Sequence, residues 1–210
     1  MRVDCHTHPL SHKYYYQGIY PSILDAEYYE CIRQVLEMGI ERKLQAIAIT
    51  DHDSAISGLW ARQYAMDNQL PLIVLPGCEC EIVFQDEYVH ILALNIKQPV
   101  IFLPTTEPVE LVGRIKKQGG VAVLSHPQCY PISIYQALKG IVDGIEMRNG
   151  AQEYHGAQSF QSILDQDGYK GLRLHNSDYH FPSSIVPAQW NAYTEIDETE
   201  FRRWFGKDLT

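Results

Sequence analysis

The feature of this sequence that most restricts its fold is a regular alternation between short apolar runs and longer amphipathic stretches. The apolar runs are rich in branched side chains and predict strands at 2–5, 44–50, 72–75 continuing into 78–83, 88–94, 121–124, 144–147, 172–175 and 190–195. The amphipathic stretches predict helices at 22–39, 54–68, 106–118, 133–139, 151–166 and 198–205. Alternation of this kind favours a parallel sheet with crossover helices, so we predict an α/β fold. The number of units fits a closed TIM-like barrel better than a half-length open sheet, and a doubly wound sheet is the alternative.

The size and composition of the chain are those of a globular protein. It has 210 residues, of which 45% are hydrophobic and 20% charged, and this excludes disordered, collagenous and coiled-coil proteins. Because no low-complexity tract or linker divides the sequence, we expect a single domain over residues 1–210.

Charge and cysteine content restrict the compartment and the partners. The formal net charge of −9 disfavours binding of duplex nucleic acid, and a phosphate-bearing substrate would need local positive charge or bound cations. The number of cysteines is odd, and no Cys-x-x-Cys pair or apolar targeting stretch is present. The longest apolar run is far below the roughly 18 residues of a membrane span. We therefore expect a reduced, cytoplasmic protein that does not contact membranes.

Histidine and carboxylate side chains cluster where the predicted strands end. His6 and His8 follow the first strand at i and i+2, a spacing that points two side chains of an extended chain to the same side. Asp178 and His180 repeat this spacing after a later strand. His52 and His126 also come where predicted strands end, and Glu79 and His90 lie in two further predicted strands. Barrel enzymes assemble their active sites at this end of the strands, so we expect these side chains to converge.

The chemistry of these side chains predicts a metal centre. A set of imidazoles and carboxylates without thiolates suits catalytic zinc, manganese or iron with open coordination positions. The number of candidates predicts more than one ion, and a carboxylate such as Glu79 could bridge two of them. Such cations would also allow an acidic protein to bind phosphate.

Seven short motifs, in order along nearly the whole chain, resemble those of the polymerase and histidinol phosphatase (PHP) domain, a family of metal-dependent phosphoesterases. They are Asp4-Cys5-His6-Thr7-His8, Ile49-Thr50-Asp51-His52-Asp53, Pro76-Gly77-Cys78-Glu79, the segment 89–94, Ser125-His126-Pro127, Gly144-Ile145-Glu146 with Asn149-Gly150, and Ser177-Asp178-Tyr179-His180. Each motif is weak alone, but their combination is specific.

The resemblance implies a distorted barrel of seven strands and two or three divalent ions. By that resemblance, the first ion would be held by His6, His8, Glu79 and Asp178, the second by Glu79, His90 and His126, and the third by His52 and His180. The family usually has another ligand of the third ion five or six residues after the opening motif. The nearest candidate in this chain is His12, four positions after His8.

The resemblance also implies hydrolysis of small phosphomonoesters, nucleotides or short single-stranded oligonucleotides by a metal-activated hydroxide. We expect Asp178 or His180 to assist proton transfer and Arg148 to contact a substrate phosphate. A histidinol-phosphate-type phosphatase, an amidohydrolase and a degenerate metal-binding module are the alternatives. No lysine lies at a strand end suited to bridge metals after carbamylation, which argues against the amidohydrolase.

Overall fold

The computed structural model describes residues 1–10, 26–154, 158–181 and 192–206. Its strands are β1 (Arg2–Asp4), β2 (Thr7–His8), β3 (Ala46–Ile49), β4 (Ile73–Phe84), β5 (Glu87–Leu94), β6 (Val121–Leu124), β7 (Gly144–Asn149), β8 (Leu172–Asn176), β9 (Tyr179–His180) and β10 (Thr194–Glu195). Its α-helices are α1 (Ala26–Glu41), α2 (Ile56–Asp67), α3 (Pro108–Lys117), α4 (Ile132–Leu138), α5 (Gly150–Tyr154), α6 (Gln161–Gln166) and α7 (Glu198–Phe205). A short 3₁₀-helix covers Pro127–Cys129.

Eight strands form one sheet in the order β10-β1-β3-β4-β5-β6-β7-β8. The two ends of this sheet approach each other, because the backbone N–H of His175 on β8 donates to Thr194 Oγ1 on β10 at 2.8 Å. The same hydroxyl donates to the carbonyl of His175 at 3.1 Å. The prediction of a TIM-like barrel is therefore confirmed: the chain forms a mixed α/β domain with a nearly closed sheet. The sheet has eight strands, whereas the resemblance implied seven.

The two faces of the strands pack against different parts of the core. On β3, Ala46 and Ala48 point into the barrel, whereas Ile47 and Ile49 pack outward with α1. Helix α1 buries Ile32, Val35 and Leu36 in that outer cluster, at the i, i+3, i+4 spacing of one helix face. Alternation with period two along β3 thus sends two small side chains into the barrel and two large ones towards α1.

Strand β5, the helix over 151–166 and strand β10 differ from the sequence prediction. Strand β5 runs antiparallel to both neighbours, because a two-residue turn with left-handed Gln85 and Asp86 joins it to β4 without a crossover helix. The helix expected over 151–166 is two helices, α5 and α6. Strand β10 is shorter than the predicted 190–195, of which residues 190 and 191 lie outside the described part.

Long strand β4 continues through Pro76 and Gly77 and so carries Glu79 past the end of the barrel.

Among the helices that the structure describes, none is both long and apolar enough to cross a bilayer.

Candidate metal centre

The candidate centre lies at the carboxyl ends of the barrel strands. A small parallel sheet of β2 and β9 brings two of the predicted motifs together there. Its register pairs His8 with His180, and their rings stack with centroids 4.3 Å apart. The loop after β3 pairs with β4 through a bridge between His52 and Glu79, and Asp53 N–H donates to the Glu79 carbonyl at 2.8 Å. Backbone pairing thus fixes which side chains meet.

Glu79, which is 1% exposed, lies at the middle of the cluster. Five imidazoles face its two carboxylate oxygens: His6 Nε2 (3.2 Å), His90 Nδ1 (3.1 Å) and His126 Nε2 (3.2 Å) lie near Oε1, and His8 Nε2 (3.4 Å) and His52 Nδ1 (3.2 Å) lie near Oε2. The hydroxyl of Ser125 also donates to Oε1, at 2.9 Å. Both carboxylate oxygens of Glu79 therefore face possible ligands of a cation.

Asp178 lies opposite Glu79, across the same two imidazoles. Its Oδ1 is 3.3 Å from His6 Nε2 and 3.2 Å from His8 Nε2. Its other oxygen accepts a hydrogen bond from Asn149 Nδ2 at 3.1 Å. Asp178 and His126 both have left-handed backbones, with φ of 53° and 27°. Left-handed non-glycine residues are uncommon, and they concentrate at sites where the surrounding structure holds a side chain in a required direction.

The donor atoms of the cluster fit divalent cations. His6 Nε2, His8 Nε2, His90 Nδ1 and Asp178 Oδ1 are buried, and none has a hydrogen-bond partner among the described residues. Buried polar atoms are normally satisfied, and a cation between converging nitrogen and oxygen atoms would satisfy all four. Within the part of the chain that the structure describes, three groups have ligand atoms within 4.8 Å of one another: His6, His8 and Glu79; His52, Glu79 and His90; and His8, His52 and His180.

The pKa values of the cluster divide its imidazoles into two sets. Burial, together with the neighbouring His180, holds the pKa of His8 well below its usual value, and burial lowers the pKa of His52 to about 4. Burial would also lower the pKa of His90, but the carboxylate of Glu79 outweighs burial and raises that pKa to about 9. Burial would raise the pKa of Glu79 itself, but the surrounding imidazoles, His6 first, hold it well below the usual range.

Three side chains around the cluster were given no role by the sequence analysis. Glu81 lies 3.1 Å from His90 Nε2, the Tyr130 hydroxyl lies 3.1 Å from His126 Nδ1, and Glu146 Oε1 lies 3.1 Å from His6 Nδ1. Carboxylates and hydroxyls in such positions orient metal-binding imidazoles. Glu81 could have been identified by its i+2 spacing from Glu79, which places both on one face of a strand.

Two predicted residues are not part of the described cluster. Arg148 forms a two-point ion pair with Glu153, with Nε–Oε1 and Nη2–Oε2 distances of 2.6 and 3.1 Å. A contact between Arg148 and a substrate phosphate would have to compete with this pair. His12 lies outside the described residues.

Comparisons with solved structures show which proteins share this fold. The chain is similar to a proposed metal-dependent phosphoesterase from Bifidobacterium adolescentis, with a TM-score of 0.68 and 17% identity over 99% of this chain and 97% of that one. It is also similar to an amidohydrolase from Chromobacterium violaceum, solved with bound sulfate and no metal, with a TM-score of 0.62 and 16% identity over 94% and 93% of the two chains. At these identities the likeness establishes the fold alone.

In sequence, the chain is similar to the 5′-3′ exoribonuclease Rnm of Escherichia coli, with 32% identity over 62 residues. That match spans 30% of this chain and only about a fifth (21%) of the relative. No family model matches the chain. What the comparisons establish is a fold shared with a proposed metal-dependent phosphoesterase and with an amidohydrolase.

Proposed function

We propose that this protein is a metal-dependent phosphoesterase of the PHP family. The observation that carries the proposal is the convergence of five imidazoles on Glu79, with Asp178 facing two of them. Imidazole and carboxylate donors with open positions are typical of hydrolytic zinc, manganese and iron centres. The segment similar to Rnm, an exoribonuclease, supports a phosphodiester substrate. The substrates that we propose are small phosphomonoesters, nucleotides or short single-stranded oligonucleotides.

Two or three ions would be held in this cluster. We propose His6, His8, Glu79 and Asp178 for the first, Glu79, His90 and His126 for the second, and His52 with His180 for the third. His12 stays a predicted further ligand of the third. Divalent ions in these positions would activate a water molecule and offset the negative charge of a substrate phosphate.

The residues of the chain would perform the positioning and the proton transfer. Ser125 Oγ–H donates to Glu79 Oε1 and so restrains the carboxylate on which the imidazoles converge. His180 Nδ1 lies 3.0 Å from the carbonyl oxygen of Asp178. Because a carbonyl only accepts, Nδ1 carries a proton and Nε2 is the nitrogen that can bind an ion or exchange a proton. The side chain of His180 is 29% exposed, so it can reach a substrate, and we propose it, with Asp178, for proton transfer to the leaving group.

The similar amidohydrolase makes hydrolysis of a carbon–nitrogen bond the second candidate. A carbamylated lysine bridging two ions would need a lysine inside the site. In the part of the chain that the structure describes, no lysine is buried. This favours the phosphoesterase.

The experiment that tests the proposal is hydrolysis of phosphate esters by the metal-loaded protein, with Mn²⁺ or Zn²⁺ and with a chelator control. Monoesters are followed by the release of phosphate, and oligonucleotides by the release of nucleotides. The substrates are histidinol phosphate, bisphosphorylated nucleotides and short single-stranded oligonucleotides. We expect chelator-sensitive release and its loss in His126→Ala. The matched control is His175→Gln, because His175 lies on β8 outside the cluster and should keep full activity.

Absence of release from every phosphate ester, in protein shown to hold its ions, would refute the phosphoesterase. Turnover of amides by that protein would then establish the second candidate.

A further inference from the structure

Glu146 on β7 is fully buried, and hydrogen-bond donors surround its carboxylate on all sides. Asn176 Nδ2 donates to Oε1 at 2.8 Å, and His6 Nδ1 lies 3.1 Å from the same oxygen. The backbone N–H of His126 and Asn149 Nδ2 both donate to Oε2, each at 2.8 Å. Each oxygen of Glu146 therefore has at least two hydrogen-bonding neighbours. Three of these four neighbours are N–H groups that can only donate, and the fourth is the ring nitrogen of His6.

This arrangement determines which nitrogen of His6 carries a proton. An ionised carboxylate has no hydrogen to give, so His6 Nδ1 must be the donor to Glu146. Nε2 is then the nitrogen left for a cation, and it is the atom that lies 3.2 Å from Glu79 and 3.3 Å from Asp178. Glu146 thus fixes the tautomer that metal binding through Nε2 requires.

Glu146 also restrains two residues of the cluster that have left-handed backbones, His126 directly and Asp178 through Asn149. Its bond from the N–H of His126 restrains that residue at φ 27°. Asn149 Nδ2 lies within hydrogen-bond distance of Glu146 Oε2 and Asp178 Oδ2, so it links the two carboxylates. One buried side chain therefore connects three proposed ligands from three separate segments of the chain.

We propose that Glu146 is the positioning residue of the metal centre, which fixes the tautomer of His6 and the orientation of His126 and, through Asn149, of Asp178. It is not itself a ligand, because its two oxygens are occupied by hydrogen bonds. The inference rests on the proposed function, since it concerns the same centre.

The test compares Glu146→Gln with wild type and with the matched control Asp143→Asn. Asp143 immediately precedes β7, at the end of that strand opposite to the cluster. Its carboxylate accepts hydrogen bonds from Ala122 N–H and Lys116 Nζ. In Glu146→Gln one carboxylate oxygen becomes an NH₂ group. In either orientation of the amide this group faces two of the neighbours of Glu146, and because it cannot accept a hydrogen bond, the bonds to those neighbours are lost. We expect zinc to bind about 10- to 100-fold more weakly, as is usual when a group that orients a metal ligand is lost.

Three measurements on the full chain separate positioning from folding. Zinc affinity is measured by chelator competition, the visible spectrum of the Co²⁺-loaded protein reports ligand geometry, and urea unfolding in EDTA reports stability without metal. We expect weaker zinc binding and an altered cobalt spectrum in Glu146→Gln, and neither change in Asp143→Asn. A stability loss in EDTA with unchanged zinc affinity and cobalt spectrum would overturn the inference.

Failure of the inference can be distinguished from failure of the proposed function. If wild type binds no divalent ion, the proposed function is wrong. If wild type binds ions and Glu146→Gln binds them equally well, only the role of Glu146 is wrong. Should Glu146→Gln not fold, Asn149→Ser removes the amide that links Glu146 to Asp178, together with its bond from Gln152 N–H at the start of α5. Unchanged zinc affinity in that variant would overturn the inference.

Discussion

Replacing Arg42 with methionine should destabilise the protein strongly, because it leaves a buried carboxylate without its counter-charge. Arg42 Nη1 donates to Asp4 Oδ2 at 2.9 Å, and the two side chains are 14% and 0% exposed. Asp4 would keep its bond from Ser177 N–H at 3.1 Å, a neutral donor that does not offset the charge. Arg42 also donates to the carbonyl of Ala192 at 2.9 Å, and that bond would be lost as well.

The loss in the free energy of unfolding depends on how deeply the ion pair is buried. Breaking a buried ion pair by removing one partner costs about 3–5 kcal/mol, whereas an exposed pair contributes about 0.2–1 kcal/mol. Arg202 and Glu198 form such an exposed pair, with side chains 37% and 64% exposed, so Arg202→Met is the matched control. With a urea slope of about 2 kcal/mol/M, the midpoint should fall by roughly 1.5–2.5 M in Arg42→Met and by under about 0.5 M in the control.

The assay is urea unfolding followed by circular dichroism at pH 7, in EDTA so that metal binding does not contribute to stability. The double variant Asp4→Asn/Arg42→Met should recover part of the loss, because an amide needs no counter-charge. Equal midpoints for Arg42→Met and Arg202→Met would refute the reasoning, because the ion pair would then contribute no more in the interior than at the surface.

Three further predictions follow from the packing and the metal centre. Gly58→Ala on α2 should lower the free energy of unfolding by about 1–3 kcal/mol, because a Cβ there would lie 2.8 Å from the Ile49 carbonyl and 2.9 Å from Gly77 N. Gly113→Ala on α3, where a Cβ meets nothing within 4 Å, should raise it by about 0.5–1 kcal/mol, and a loss of equal size in both variants would contradict the packing argument. Saturation with zinc at about 100 times its Kd should add about 2.7 kcal/mol and raise Tm by about 5–10 °C in calorimetry, and EDTA should reverse the change. Cys78→Ser should cost about 1–3 kcal/mol in urea unfolding, because it places a hydroxyl in the core at a position 2% exposed; an unchanged midpoint would mean that the hydroxyl finds a partner.

Much of the fold could be predicted because its signals are local. The bounds of β6 and α7 were predicted to the residue, since a short apolar run and an amphipathic stretch are each complete within their own segment. The direction of β5 could not be predicted, because an apolar strand looks the same in parallel and antiparallel pairing. Only the two-residue turn between β4 and β5 decides it, and Gln85-Asp86 is a weak turn signal.

The membership of the cluster was also predictable, but its organisation was not. Side chains that follow parallel strands meet at one edge of the sheet, so the spacing of His6 and His8, and of Asp178 and His180, was enough to predict that they meet. The roles of Glu81, Tyr130 and Glu146 depend on which nitrogen of each imidazole faces them, and no sequence pattern encodes a ring orientation.

The sequence by itself therefore determined the elements of this protein, its barrel and the set of side chains that gather at one end, because period and strand-end position are properties of short segments. Only the tertiary structure decided how that set is held. Arg42 reaches Asp4 across 38 positions and Glu146 reaches His6 across 140, and such pairs form only when the closed sheet brings distant segments together. The buried charges are paired there because the interior leaves them no water to contact.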